Sequence, residues 1–326
     1  MSVPLDNTKQ FITAKLPRKK PSITIEDDSI RAAQRRIAMA TIFIPFIGTL
    51  IAMVLAWRNG VGTPEIGLLV SMYILTSLGI EFGFHRLLSH KAFETKPVIR
   101  ILFAILGSMA AEGSVLYWVA GHRRHHVHSD TGNDPHSPHI RNLKSEDEPV
   151  GGIRGLWHSH IGWMMTDKVT NCTLFARDIF QDPTLKKIHQ LYIPLIILGL
   201  VIPAAINGVL SGTWMGVLNG FLWGGLVRMF LVHNSTWSNA SFSHIFGARP
   251  FDSGDRSANN VWCSIPTFGA SWQNNHHAFP SSAFLGFKWW QIDLAGYFIR
   301  ALVASGLVWN VVGPPSAEMK AAKQVS

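Results

Sequence analysis

Four apolar runs, roughly residues 37–57, 65–84, 191–210 and 213–233, each hold about the 20 residues that a helix needs to cross a hydrocarbon core. Runs of that length leave a multi-pass membrane protein as the expected class. The balance of the chain agrees: 47% of its 326 residues are hydrophobic and 15% are charged, against about 25% charged in soluble domains. Arg228, near the end of the last run, is expected to snorkel toward the interface. A fifth run, about 98–117, carries Arg100 and Glu112 and is read as interfacial or re-entrant, because two charges at bilayer depth cost several kcal/mol uncompensated, on the order of 3 each.

The net charge of +9 is not read as a nucleic-acid footprint, because the basic residues flank the apolar runs. Lys15, Arg18, Lys19, Lys20, Arg31, Arg35 and Arg36 all precede the first. The links between runs one and two and between runs three and four carry almost none. By the positive-inside pattern both links lie outside, and both termini and the long polar segments 85–190 and 234–326 lie in the cytoplasm. Cys172 and Cys263 have no disulfide or zinc-ribbon spacing and read as reduced side chains. No short apolar segment with a small-residue cleavage site opens the chain, so residues 1–36 are expected to persist as a polar basic arm. Residues 37–310 form the membrane domain and 311–326 a tail. The expected fold is all-α: four transmembrane helices in two hairpins under a cytoplasmic helical cap.

Eight histidines fall in four clusters at span ends and in the polar segments: His85 and His90; His122, His125 and His126; His244; and His276 with His277, preceded by Gln273. Buried imidazoles must offset their desolvation, and neutral imidazole is the commonest protein metal ligand. His122, His125 and His126 stand at i, i+3 and i+4, which on a helix puts them on one face, able to converge on one or two metals. Gln273, His276 and His277 repeat that spacing. His85 and His90 are five apart, about 140° on a straight helix, so a helix end or bulge has to bring them together. His128, His136, His139, His158, His160 and His189 read as ordinary polar or interfacial side chains. His233 reads as a helix-end histidine about 16 Å from His244 along a straight helix. No Glu-x-x-His pair of the carboxylate-bridged di-iron bundles is present. Imidazole donors suit iron, copper, zinc or nickel, and structural zinc usually recruits cysteine.

In order and placement these clusters resemble the integral-membrane fatty acyl desaturases, whose boxes read His-x-x-x-x-His, His-x-x-His-His and His/Gln-x-x-His-His. The resemblance runs from about Glu81 to Asn310. It includes Asn133-Asp-Pro-His-Ser-Pro138, Arg154-Gly-Leu-Trp-His-Ser-His-Ile-Gly-Trp163, Thr236-Trp237, Gly247-Ala-Arg-Pro-Phe-Asp252 and His276-His-Ala-Phe-Pro280, which look like the delta-9, stearoyl-CoA desaturase-like branch. The resemblance implies two irons on the eight histidines and Gln273, with dioxygen as co-substrate, removing two hydrogens from adjacent methylenes of a long acyl chain. It further implies Asp134, Asn239 and His233 as outer or water-mediated contacts and Trp118 as a substrate-binding residue.

Three departures from the family pattern bear on detail. Gln273 stands where the acyl-CoA branch has histidine, although front-end desaturases also carry glutamine there. Asn239 lies one residue before the family's water-binding asparagine, which aligns with Ala240. Ala120 and Gly121 replace an arginine and aspartate before the second box, so lipid, acyl carrier protein and CoA all remain as carriers. No redox domain is seen within the chain, so a separate donor, ferredoxin or a cytochrome b5/reductase system, is expected. The similarity to bacterial and acyl-lipid relatives favours a bacterial inner membrane. The rivals are a membrane hydroxylase on the same scaffold and, from another class, a metal-binding or metal-transport protein. Transporters, however, place ionisable ligands near the bilayer midplane in broken helices.

Overall fold

The computed structural model describes residues 21–143 and 146–325. Lys15, Arg18, Lys19 and Lys20 of the basic arm lie outside the described residues. Among the described residues four helices are long and apolar enough to cross a membrane: α1 (Asp28–Asn59), α2 (Thr63–Ser89), α6 (Tyr192–Ser211) and α7 (Trp214–Ile245). Between and after them come α3 (Pro97–Met109), α4 (Val115–His128), α5 (Gly152–His160), α8 (Gln273–Ala278) and α9 (Leu294–Ala304). Sheet is confined, among the described residues, to antiparallel two-stranded ribbons. Thr24–Ile25 pairs with Val169–Thr170, Glu94–Thr95 with Val308–Trp309, and Ile140–Leu143 with Glu146–Pro149.

All four apolar runs become helices, three of them longer than the hydrophobicity requires. α1 starts at Asp28, where Asp27 caps it by accepting from the Ser29 and Ile30 amides, so Arg31, Arg35 and Arg36 belong to its first turns rather than to a separate arm. α7 continues past the apolar run to Ile245 and so carries His244 on the same helix as the fourth span. Exposed Phe43, Ile44, Ile47, Leu50, Ile51 and Val54 on α1, and Ile193, Ile197 and Val201 on α6, give these two helices an apolar outer surface. α2 and the second half of α7 are more enclosed and form the interior wall.

The run at 98–117 divides. α3 is 13 residues, about 20 Å at 1.5 Å per residue, and so is shorter than a hydrocarbon core. It ends at Met109, and α4 starts at Val115 with Ser114 as its cap, leaving Glu112 in the connection. Gly79 and Gly107 let α2 and α3 touch: a Cβ on Gly79 would lie 2.2 Å from the Gly107 amide nitrogen. Arg228 differs from the snorkelling expectation. It is fully buried, and its guanidinium donates to the carbonyls of Met109, Gly199 and Gly224 at 2.9, 3.1 and 3.3 Å. Those donors satisfy the guanidinium inside the protein, which removes the reason to reach for the interface. His233 also differs: it sits inside α7, not at its end, and its Nε2 faces the Ala110 carbonyl at 2.8 Å.

Gly79→Val is expected to prevent the contact between α2 and α3. Overpacking of this kind costs on the order of 1–3 kcal/mol or more where backbone is struck. The measurement is recovery of monodisperse protein in detergent, which should collapse for Gly79→Val and survive for a change at Gly67, where an added Cβ meets nothing within 4 Å.

Candidate metal centre

The last part of α2, Gly79–Ser89, is wound as a π-helix, with the His90 amide donating to the His85 carbonyl five residues back at 3.1 Å. That winding answers the five-residue spacing of His85 and His90. Residues five apart, which diverge on an α-helix, here come onto one side, and the two imidazoles lie with ring centroids 5.1 Å apart. α4 supplies His122, His125 and His126 from one face, α7 supplies His244, and the one-and-a-half-turn helix α8 supplies Gln273, His276 and His277.

The eight imidazoles sort into two groups. His85, His90, His122, His126 and His276 bring their ring nitrogens within 4.8 Å of one another, as do His125, His244 and His277. Adjacent residues on a helix point about 100° apart. The neighbours His125 and His126, and likewise His276 and His277, therefore serve different groups. In the first group Nε2 atoms face each other at 2.9 Å between His85 and His276, 2.7 Å between His90 and His122, and 2.9 Å between His276 and His126. In the second group each imidazole is held from behind by an aspartate. His125 Nδ1 meets Asp134 at 3.0 Å, His244 Nδ1 meets Asp130 at 3.1 Å, and His277 Nδ1 meets Asp255. Glu81 does the same for His85 at 2.7 Å, one helical turn back.

A carboxylate that accepts from Nδ1–H fixes the proton on that nitrogen and leaves Nε2 as a lone-pair donor, the usual arrangement behind a metal-bound histidine. The Nε2 atoms of His125, His244 and His277 are buried and lack any hydrogen-bond partner, as do Gln273 Oε1 and Asn239 Oδ1. Orphaned buried acceptors that converge are costly unless a cation joins them. The donor set thus fits metal at both groups: five imidazoles at one, and three imidazoles with Gln273 among the nearby oxygen donors at the other.

Electrostatics favour neutral ligands. Burial, reinforced by the neighbouring imidazoles, holds His90, His122, His126 and His276 well below their ordinary value. Burial also lowers His277, to about 4, against the opposing pull of Asp255. His125 is the exception: burial pulls it down, but Asp134 prevails and raises it. Burial works against ionising Asp130, Asp134 and Asp255, yet the imidazole each one faces holds it below the usual carboxylate range.

Two histidines assigned only ordinary roles prove to be close. His136 stands with its ring centroid 4.4 Å from that of His125 and joins Asp134 and His125 in a third set of converging donors. His139 Nε2 meets the His244 carbonyl at 2.8 Å. His233 joins neither imidazole group and stacks instead on Trp237. Asp134 is placed behind His125, and Asn239 is buried at the edge of the site. Asp130, Asp255 and Glu81 were missed. Glu81 was within reach of sequence reasoning, being one helical turn from His85. Asp130 and Asp255 come from turns whose backbone path the residues alone do not reveal.

Beside the centre lies a cavity of about 110 Å³ lined by Trp118, Tyr117, Trp163, Trp237, Gln273 and Glu112, with His85, His122 and His125 in its wall. Trp118 stacks on His122 at 4.9 Å between ring centroids, so the cavity meets the larger imidazole group through an aromatic face.

The fatty acid desaturase family model matches residues 63–312. The hex-5-enoyl-[acyl-carrier protein] acetylenase of Moorena producens (strain JHB) is 46% identical over 327 aligned positions, covering 100% of both chains. The sn-1 stearoyl-lipid 9-desaturase of Anabaena variabilis is 36% identical over 76% of this chain and 83% of its own. The icosanoyl-CoA 5-desaturase of Limnanthes douglasii is 33% identical over 76% of this chain and 65% of its own.

Asp134→Ala removes the carboxylate behind His125 Nδ1 and leaves the His125, His244 and His277 imidazoles in place, and loss of such a partner typically costs about 10- to 100-fold in metal affinity. Chelator competition followed by metal analysis should show the second metal leaving at lower chelator concentration than in the parent protein, while the first is retained. Equal retention of both would assign Asp134 a purely structural part.

Proposed function

Because the chain belongs to the fatty acid desaturase family, we propose that this oxidoreductase, which acts on fatty acyl chains, holds two irons on its two histidine groups and uses dioxygen to desaturate the acyl chain. The observation that carries this is the pair of converging imidazole sets, each carrying orphaned or mutually facing Nε2 atoms, against the wall of an aromatic-lined cavity. When bound, the irons supply the oxidising power needed to remove hydrogen from an unactivated carbon. In balance, a –CH2–CH2– unit, dioxygen, two electrons and two protons become –CH=CH– and two waters.

The chain's own side chains supply position and exclusion. His85, His90, His122, His126 and His276 are the ligands of one iron. His125, His244 and His277 are ligands of the other, with Gln273 offering a neutral oxygen and Asn239 a second oxygen at the edge. Glu81, Asp130, Asp134 and Asp255 fix ring orientation. Trp118 and Trp237 hold the acyl chain in one register against the metal centre, which is what position-specific attack requires. The electrons come from a separate donor, for which ferredoxin or a cytochrome b5/reductase system is suited. The four spans form two hairpins, with both termini and the metal centre on the cytoplasmic side of a bacterial inner membrane. Arg31, Arg35 and Arg36 at the start of α1 and the uncharged link between α6 and α7 support that orientation.

Two placements of the new bond have different support. Delta-9 desaturation of a long lipid-linked chain rests on the motif resemblance and on the stearoyl-lipid 9-desaturase relative. Dehydrogenation of a short chain on an acyl carrier protein rests on the acetylenase relative, whose similarity covers both chains fully.

Reconstituted protein supplied with ferrous iron, dioxygen and a reducing system is expected to bind close to two irons per chain and to give alkene or alkyne products by mass spectrometry. An alcohol as the main product would move the assignment to a hydroxylase, and bound metal without any acyl oxidation would move it to metal handling. Gln273→Ala should lower turnover at least tenfold with the protein still folded, and Gln273→His should keep both metals; unchanged turnover in Gln273→Ala would remove Gln273 from the site. For the topology, a single cysteine at Ser211, placed after Cys172 and Cys263 are replaced, should react only with reagent added outside.

A further inference from the structure

Three cations converge on one pocket that shares no lining residue with the cavity beside the histidine groups. Lys288 from the loop after α8, Arg300 on α9 and Lys320 on the C-terminal helix α10 (Ala317–Lys323) line a cavity of about 360 Å³ together with Trp289, Tyr297 and Asp293. An aromatic ring steers each of them. The Arg300 guanidinium lies 4.4 Å from the Phe284 centroid, the Lys320 ammonium 5.2 Å from that of Phe287 and the Lys288 ammonium 5.7 Å from that of Trp290. Among the described residues none of the three side chains makes an ion pair or a hydrogen bond. The acid in the wall, Asp293, is already engaged, because its two oxygens accept from Arg86 and from the Leu285 and Gly296 amides. Glu318, two residues before Lys320, does not line the pocket. Three positive charges therefore face one cavity without a counter-charge, and an anion placed there is attracted by all of them.

Floor and rim differ. Phe284, Gln291, Asp293 and Gly296 are buried, whereas Lys288, Trp289, Tyr297 and Arg300 are exposed, Trp289 at 94%. The pocket thus opens at the protein surface, and α9 relates that opening to the membrane. Leu294, the first residue of α9, lines an apolar groove with Leu69, Val70, Tyr73 and Ile74 of the α2 span. Tyr297 and Arg300 follow Leu294 at three-residue intervals, so they stand on adjoining turns of that side of the helix. The pocket is therefore next to the apolar surface of the spans, and exposed Trp289, Trp290 and Tyr297 are the residue types that concentrate where hydrocarbon meets water. It is also tied to the helix of the last histidine cluster. Gln291 Oε1 accepts from Asn275 of α8 and from the Phe287 and Lys288 amides, and Lys323 of α10 donates to the Ala278 carbonyl at the end of α8.

We propose that this pocket is a seat for the phosphate of an anionic membrane glycerolipid. The Arg300 guanidinium offers a planar fork to phosphate oxygens, and Lys288 and Lys320 add point charges. A zwitterionic headgroup brings a cation of its own into a pocket that already holds three, so the seat selects lipids of net negative charge. A soluble phosphate meets the same cations but gains nothing from the apolar groove beside Leu294, along which a lipid's acyl chains can lie. The lipid held here is a bound companion and not the chain being oxidised, and its seat depends neither on the metals nor on the identity of the acyl carrier. Occupancy braces the loop and the helix that hold α8, so it should also raise the stability of the protein.

The test uses the full-length protein in neutral detergent and needs no turnover. Dioleoyl-phosphatidylglycerol and dioleoyl-phosphatidylcholine are titrated separately, with bound lipid counted by native mass spectrometry and thermal unfolding followed in parallel. The unmodified protein should hold one phosphatidylglycerol at least about tenfold more tightly than phosphatidylcholine and unfold at a higher temperature with it. Lys288→Gln, Arg300→Gln and Lys320→Gln should each weaken phosphatidylglycerol about fivefold, and the triple variant roughly 100-fold, with phosphatidylcholine unchanged. A charge-matched control, Arg177→Gln with Lys186→Gln and Lys187→Gln, removes three exposed cations elsewhere and should bind as the parent does. Equal retention of the two lipids by the unmodified protein overturns the seat and needs no variant to fold. Equal weakening in the control triple assigns the effect to net charge and overturns it too. Displacement of phosphatidylglycerol by inorganic phosphate or phosphopantetheine at matching concentration overturns the lipid as the source of the phosphate.

Discussion

Carboxylates set against the Nδ1 of imidazoles are the interaction on which the rest of the site depends. Glu81, Asp130, Asp134 and Asp255 each take one ring nitrogen and thereby decide what the other can do. The same aspartates organise the loops that carry them. Asp134 accepts from the Asp130 and His136 amides, Asp130 from the Ser137 hydroxyl and the Arg256 amide, and Asp255 from Ser253 and Ser257. Loop geometry and imidazole orientation are therefore one problem: four of the eight clustered imidazoles, His85, His125, His244 and His277, have their Nδ1 fixed by these partners.

A membrane setting raises the cost of every polar group not so assigned, and two buried arginines show how the fold meets that cost. Arg228 carries no acidic partner and instead collects three backbone carbonyls, including the last of α3, so it ties α3 to α6 and α7 where the short helix ends. Arg86, in the π-helical part of α2, forms a bidentate pair with Asp293 at 2.6 and 3.0 Å and donates to the Ala283 carbonyl. Asp293 in turn accepts from the Leu285 and Gly296 amides. Through Arg86 the helix that carries His85 is locked to the segment that follows α8, and the histidines of distant stretches are brought to a common distance.

The cavity beside the histidine groups combines aromatic walls with buried polar groups. Trp118, stacked on His122, and Trp237, bonded to Glu112, fix a narrow apolar slot alongside the ligands.

Much of the architecture was legible in the residues themselves. Runs of about 20 apolar residues can only be satisfied as membrane-length helices, and the i, i+3, i+4 spacing of His122, His125 and His126 already places them on one face. The five-residue gap between His85 and His90 even announced a departure from α-helical winding, which the π-helix of Gly79–Ser89 provides. What the residues did not disclose was partnership across the chain. Nothing local distinguishes Asp255 or Asp130 from other turn aspartates, Arg228 from a snorkelling arginine, or His136 from a loop histidine. The division of adjacent His125 and His126 between two imidazole groups depends on where α2, α7 and α8 stand around α4. Short-range spacing is a property of helix geometry and can be read from order alone. The partner that satisfies a buried charge is chosen by packing between segments, more than a hundred residues apart for Asp130 with His244 and for Arg228 with Met109, and only the tertiary structure decides it.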